Sequence, residues 1–258
     1  MANNPNTQYG VGTQTRVDGQ IDEGLRSYML RVYNYMAIGL AITAVAALGT
    51  VNLATTTDPA SAVAQMGNGT LLTSLGAALY GSPLQWVVML APLAFVFFLS
   101  FRIQSMSVSA AQTTFWLFSL VMGISLSSIF LVYTSASIVQ VLAITAASFA
   151  GLSLFGYTTK RDLSGWGSFL FMGLIGIIIA SIVNIFLGSS ALQFAISVIG
   201  VLVFAGLTAY DTQQIKEMYY VGDDGTVTGR KAIMGALRLY LDFINLFLML
   251  LQLFGNRE

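Results

Sequence analysis

A few polar side chains at helical spacing interrupt an otherwise apolar carboxyl-terminal segment. The segment ALRLYLDFINLFLMLLQLFG (residues 236–255) contains Arg238, Asp242, Asn245 and Gln252, at intervals of four, three and seven residues. These intervals place the four side chains on one face of a helix. An ionisable group within a membrane-spanning helix is costly and usually marks a functional site. The spacing therefore predicts a polar stripe that faces protein or a water-filled cavity.

Two more charged residues are expected near this stripe. Asp211 ends an apolar segment in AGLTAYDTQQIK, and Arg102 ends another in FFLSFR. If Asp211 and Asp242 meet in a poorly solvated site, the two carboxylates cannot both ionise cheaply.

Simpler structural roles are open for the same residues. Arg102 could anchor its helix at the membrane interface. Asp211 could cap the following loop or pair with Lys216, and Arg238 could pair with Asp242 four residues away. The depth of Asp242 in the membrane, and therefore its contact with Asp211, is also open. If the last helix enters the membrane at residue 233, Asp242 lies about 14 Å deep and cannot reach Asp211, whereas entry at Arg238 puts it only about 6 Å deep.

The composition is that of an integral membrane protein. Of the 258 residues, 56% are hydrophobic and 9% are charged, compared with about 25% charged residues in soluble proteins. Eleven basic residues balance eleven acidic ones, so no net field would attract nucleic acid. Cysteine and histidine are both absent, which excludes disulfides, Cys/His zinc sites and Ser-His or Cys-His catalysis. We expect neither an enzyme nor a resident cofactor.

Seven segments meet or approach the roughly 20 apolar residues that a helix needs to cross a bilayer. They are residues 33–54, 84–101, 113–133, 138–157, 167–187, 192–210 and 233–254. We therefore predict an all-α polytopic fold, with a polar tail at residues 1–27 and a membrane domain at residues 28–258. The short third-to-fourth and fifth-to-sixth links predict two pairs of antiparallel neighbours.

Lys and Arg occur in every second connection, which predicts a cytoplasmic amino terminus. Six crossings follow from this pattern. The positive-inside rule gives almost no information on the last segment. This segment either crosses the membrane fully or re-enters from the cytoplasm.

The stretches AYDTQQIK and LYLDFINLF resemble the paired signature of the Bax inhibitor family, in its bacterial branch. The resemblance implies six helices in two layers around a central seventh helix. It also implies a pH-sensitive calcium leak, with Asp211 and Asp242 as pH sensor and calcium contact and Arg102 as a gating residue. Some members carry an acidic residue in the second helix, but PLQWVVMLAPLAF here has none.

Other functions fit parts of the pattern. Two membrane aspartates suggest an intramembrane aspartyl protease, although that class has a GxGD motif and no glycine adjoins Asp242 in LYLDF. A non-enzymatic regulator could use the polar tail to bind another membrane protein, such as a membrane-bound protease. A proton-coupled transporter is a third alternative. The expected partners are the lipid bilayer, calcium ions and protons, and the expected location is a bacterial inner membrane.

Overall fold

The structure is a computed structural model that describes the backbone of residues 11–257 and the side chains of residues 23–257. Within this range the chain forms eight α-helices, three two-residue strands and two short 3₁₀ turns. The helices are α1 (Val11–Ala54), α2 (Ser74–Gly81), α3 (Leu84–Arg102), α4 (Val108–Leu126), α5 (Ser135–Thr158), α6 (Ser164–Leu187), α7 (Ser190–Glu217) and α8 (Gly225–Phe254). The 3₁₀ turns are Ile103–Ser105 and Ser127–Leu131.

Local sequence signals determine where many of these helices begin and end. Five helices start after an extended residue whose side-chain oxygen accepts a backbone N–H of the first turn, which satisfies a donor that the helix cannot. These residues are Thr73, Ser107, Thr134, Ser189 and Asp224. The end of α6 is set by Gly188, whose φ of 59° lies in the left-handed region that glycine adopts without strain.

Seven of the helices are long and apolar enough to cross a membrane, namely α1 from Glu23 onward and α3 to α8. The seven predicted segments are thus confirmed as helices. The last of them, α8, is one uninterrupted helix of 30 residues, about 45 Å long. That length suits a full crossing and not a re-entrant segment.

The predicted polar tail overlaps the first helix. Residues 1–10 lie outside the described residues, and α1 begins at Val11 and continues without a break into the first span. The division of the chain at residue 28 stays a prediction.

The connection between α1 and α3 is more ordered in its backbone than its weakly polar sequence indicated. It contains β1 (Thr55–Thr56), β2 (Ala64–Gln65) and β3 (Leu71–Leu72), followed by α2. The strands form an antiparallel sheet in the order β1-β3-β2.

Helix α8 is the central helix of the bundle, as predicted. In its most apolar window 67% of the residues are buried inside the protein, whereas the share is 11% to 39% in the other six spans. It contacts α1, α4, α5 and α7. One apolar cluster joins α8 to α1 and α4 around Tyr240 and Phe115, and a second joins it to α5, α6 and α7 around Leu246 and Phe204.

The expected pairing of the third and fourth spans, α4 and α5, is wrong, while that of α6 and α7 is confirmed by their extensive contact. After the 3₁₀ turn that follows α4, the chain pairs with the end of α8. The Thr134 N–H donates to the Asn256 carbonyl at 3.0 Å, and the Asn256 N–H donates to the Ser137 hydroxyl at 2.9 Å. Because α8 contacts both α4 and α5, it lies where their direct packing was expected.

Some glycines of the membrane spans allow close contacts between helices and others do not. A Cβ at Gly173 would lie 2.9 Å from Val203, and one at Gly206 would lie 2.6 Å from Leu170. A Cβ at Gly151 would meet no atom within 4 Å. Of these three glycines, Gly173 and Gly206 bring helices together and Gly151 does not.

We predict that Gly156→Ala destabilises the contact between α5 and α7. A Cβ there would lie 2.2 Å from the Ala209 carbonyl oxygen, so the two backbones must separate. The free energy of unfolding in detergent should fall by about 1 to 3 kcal/mol. Gly151→Ala on the same helix is the control, and equal stability of the two variants would contradict the prediction.

Candidate functional site

Asp211 of α7 and Asp242 of α8 lie together, with their carboxyl groups within hydrogen-bonding reach of each other. Both helices extend beyond the two acids on this side of the bundle. Helix α7 continues six residues beyond Asp211, and α8 begins 17 residues before Asp242. Both acids therefore lie inside their helices at a common level.

Two glycine contacts flank the carboxyl pair and set the spacing of α7 and α8. At one end, a Cβ at Gly235 of α8 would lie 2.9 Å from the Ile215 side chain. At the other end, a Cβ at Gly200 of α7 would lie 2.6 Å from the Met249 sulfur. Because glycine has no Cβ, the helices approach closely at both points, and short aspartate side chains can meet between them.

Asp242 is an incompletely satisfied buried group. Its side chain is 5% exposed, and its Oδ2 atom is buried and accepts no hydrogen bond from any described residue. A buried acceptor without a donor is strongly disfavoured. The neighbouring carboxyl of Asp211 can satisfy it only by holding a proton between the two groups.

The two residues that follow Asp211 connect α7 by hydrogen bonds to neighbouring parts of the chain. The Thr212 hydroxyl lies 3.0 Å from that of Ser153, which lies 2.7 Å from that of Tyr33, so one chain of hydroxyls joins α7, α5 and α1. Gln213 accepts the Leu163 N–H and donates to the Arg161 carbonyl, both at 2.8 Å. Sequence reasoning missed these positioning residues, because nothing in the spacing marks Ser153 and Tyr33 as their partners.

The cation close to the pair is Arg238, and its charge acts on both carboxyl groups. Among the described residues it forms no ion pair, so the suggested structural pair with Asp242 is not formed. Arg102 is exposed, and its gating role stays a prediction. Lys216 does not pair with Asp211, because its Nζ donates to the Tyr157 carbonyl at 2.9 Å.

The rest of the predicted stripe does not form one continuous site. Asn245 donates to the Leu241 carbonyl of its own helix at 2.8 Å. Gln252 belongs to a separate network, in which its Oε1 accepts from Gln193 at 2.6 Å and from Ser197 at 2.8 Å. Asp242 and Gln252 thus both face α7, near the middle and at the far end of α8.

Outside the spans, Asp162 provides a contrast with the buried pair. It lies in the exposed connection between α5 and α6, where its Oδ1 accepts the Ser164 N–H at 2.8 Å. That hydrogen bond lowers the pKa of Asp162 below its ordinary value. Its carboxylate is therefore already ionised when the pH reaches its ordinary pKa.

The family model described as "Inhibitor of apoptosis-promoting Bax1" matches residues 25–258. The chain belongs to the Bax inhibitor family. It is 48% identical over 237 residues to the inner membrane protein YbhL of Escherichia coli strain K12, covering 91% of this chain and 94% of YbhL. It is 44% identical over 247 residues to a protein of Rickettsia prowazekii, covering 95% of this chain and 96% of that protein.

The described residues offer few acidic ligands for a metal ion. The described residues contain no group of three or more Asp, Glu, His or Cys side chains placed to hold a metal. Calcium takes six to eight oxygen ligands, and the aspartate pair supplies only part of such a set. The pair alone is therefore not a complete calcium site.

A second buried hydrogen bond fixes α8 against α1. The Tyr240 ring is fully buried against Phe115 and Phe118. Its hydroxyl lies 2.6 Å from the Thr43 hydroxyl, which also lies 2.8 Å from the Ser119 carbonyl. The Thr43 hydroxyl also lies 3.0 Å from the Gly39 carbonyl of its own helix. When its single hydroxyl proton is donated to either carbonyl, Tyr240 is the donor to Thr43.

We predict that Thr43→Val lowers the free energy of unfolding by about 1 to 3 kcal/mol, because it leaves the buried Tyr240 hydroxyl without a partner. The double variant Thr43→Val/Tyr240→Phe should lose less than the sum of the two single changes. Thr50→Val is a control, since Thr50 donates only to the Ala46 carbonyl of its own helix. Strict additivity in thermal unfolding of the detergent-solubilised protein would contradict the coupling.

Proposed function

We propose that this Bax inhibitor family protein is a pH-sensitive calcium leak channel whose gate is the Asp211–Asp242 pair. The observation that carries the proposal is the meeting of two carboxyl groups from antiparallel helices, one of which has a buried oxygen without a donor. A shared proton satisfies that oxygen and holds α7 and α8 together. In this state the contact surface between α7 and α8, which we call the seam, is closed.

Loss of the shared proton opens the seam. When the pH rises, both carboxylates carry a negative charge at short distance, and their repulsion favours a conformation in which α7 and α8 separate. The same two charges then attract a divalent cation, for which carboxylate oxygen is a preferred ligand. Arg238 contributes a compensating positive charge from the same helix as Asp242, and Arg102 closes the end of the path on the side of α3.

Location and orientation are part of the proposal. YbhL, nearly half identical to this chain, is named as an inner membrane protein, which supports the same location here. The connections after α3, α5 and α7 lie next to the basic residues Arg102, Lys160, Arg161 and Lys216. By the positive-inside rule this end of the bundle, with the amino terminus, faces the cytoplasm.

We predict that Asp211→Asn and Asp242→Asn each flatten the pH dependence of calcium flux into liposomes that contain the purified protein. Asparagine has nearly the same shape but cannot acquire the second negative charge, so raising the pH should no longer increase flux. Wild-type flux should rise with pH. Asp162→Asn is the matched control, because Asn retains the acceptor oxygen for the Ser164 N–H. An unchanged pH profile in both pair variants would falsify the gate.

The same preparations separate the proposal from its alternatives. A carboxylate dyad could activate water for peptide hydrolysis, in which case the protein would cleave transmembrane peptides and the Asn variants would not. A regulator of another membrane protein would lose partner binding when residues 2–26 are deleted, whereas a leak would persist. A proton-coupled transporter would show counterflow, which a passive leak cannot.

A further inference from the structure

A cavity of about 240 Å³ lies at the end of the bundle where α3 ends and α8 begins. Three cationic residues of α8 line it, Arg230, Lys231 and Arg238, and no acidic residue does. Ser100 and Gln104 add neutral polar groups from the end of α3 and the 3₁₀ turn after it. We call this space the basic cavity.

The three cations are not equally satisfied. Lys231 pairs with Asp223 and donates to the Met218 carbonyl at 2.9 Å. Arg230 donates through Nε to the Met106 carbonyl at 2.7 Å, which leaves its terminal nitrogens available. Arg238 is exposed to the cavity and forms no ion pair with any described residue. Asp223 offsets Lys231, and the aspartate pair with one shared proton carries one negative charge near Arg238. The described groups therefore leave an excess of one positive charge.

The geometry of the arginine donors indicates which kind of ligand the basic cavity would bind. A guanidinium presents a planar fork of N–H donors that matches the oxygens of a phosphate or carboxylate. Two such forks at one cavity favour an anion with several oxygens over a halide. The volume is below the 300 to 1,000 Å³ of typical small-molecule sites, so a single phosphate-sized group fits better than a nucleotide. We propose that the basic cavity binds a phosphate-type oxyanion between Arg230 and Arg238.

Such a ligand would be linked to the aspartate pair. The charge of Arg238 acts on both Asp211 and Asp242, so an anion that offsets this charge changes the balance at the pair. Binding at one site and the state of the other are then reciprocally coupled. Because the positive charge of Arg238 favours ionised carboxylates, an anion that offsets it favours the shared proton and the closed state, and so decreases calcium flux. This consequence rests on the proposed function, whereas the binding itself does not.

The direct test is isothermal titration of the full-length protein in phosphatidylcholine nanodiscs with inorganic phosphate, at constant ionic strength. We expect one saturable site in the wild-type protein. Arg238→Gln and Arg230→Gln should each weaken it about tenfold or more, since each removes charge-assisted hydrogen bonds. Lys160→Gln, an exposed basic residue at the same end that does not line the cavity, should leave affinity unchanged.

Arg238→Gln decides the outcome even if Arg230→Gln fails to fold, because Arg238 has no ion pair to lose. Arg238→Lys, which keeps the charge but removes the fork, should bind with intermediate affinity. Absence of saturable phosphate binding in the wild-type protein overturns the site, as does equal affinity in the wild-type protein and Arg238→Gln.

Two further arms identify the source of the oxyanion and its link to the gate. If a lipid headgroup supplies it, nanodiscs containing phosphatidylglycerol should weaken phosphate binding by competition, whereas unchanged affinity assigns the site to a free anion. In liposomes, sulfate replaces phosphate because calcium phosphate precipitates. Sulfate should decrease calcium flux in the wild-type protein and not in Arg238→Gln. No effect on a measurable flux overturns the link to the gate, and absence of any calcium flux overturns the proposed function. In both cases the titration still decides the site.

Discussion

The structure depends on one unfavourable arrangement, the pair of carboxyl groups of Asp211 and Asp242 between the membrane helices α7 and α8. Desolvation and mutual repulsion both oppose the presence of two negative charges there. The surrounding protein nevertheless holds the two side chains together. Close glycine contacts flank the pair at Gly235 and Gly200, and the Oδ2 atom of Asp242 finds no other donor among the described residues. In the proposed mechanism, a single shared proton removes the mutual repulsion and leaves only one desolvated charge, so the contact between α7 and α8 would respond to the proton concentration.

The central position of α8 follows from what its surface carries. Tyr240 faces α1 and α4, where its hydroxyl meets Thr43, while Asp242 and Gln252 face α7. A helix with polar groups on more than one side cannot face lipid on any of those sides. Helix α8 therefore lies between two groups of helices and connects their apolar clusters. A shift of α8 relative to α7 would change the packing of both apolar clusters. A change at the aspartate pair can therefore affect the whole bundle.

Much of this arrangement could be predicted from the sequence. Runs of apolar residues located the seven spans, and the spacing of Arg238, Asp242 and Gln252 indicated that α8 lies inside the bundle. The meeting of Asp211 and Asp242 could only be posed as an alternative, because depth depends on how far α7 and α8 extend beyond their apolar segments. Hydropathy does not report those polar helical extensions.

Other features depend on contacts between helices distant in sequence, which no local pattern encodes. The separation of α4 and α5 arises from the end of α8, more than a hundred residues later in the chain. Two glycines of α5 cannot be told apart in sequence, yet a Cβ at Gly156 would collide with α7 and a Cβ at Gly151 would meet no atom within 4 Å. Arg238 was assigned to the stripe, but its exposure to a cavity with Arg230 and Lys231 follows from the position of α3.

Infrared difference spectroscopy of the protonated carboxyl stretch tests most directly whether the two acids share a proton. At neutral pH the wild-type protein should show one protonated carboxyl band that disappears when the pH is raised. Either single substitution, Asp211→Asn or Asp242→Asn, should remove or shift this band, and Asp162→Asn should leave it in place. A spectrum without any protonated carboxyl at neutral pH, or a band unchanged by both substitutions, would contradict the account.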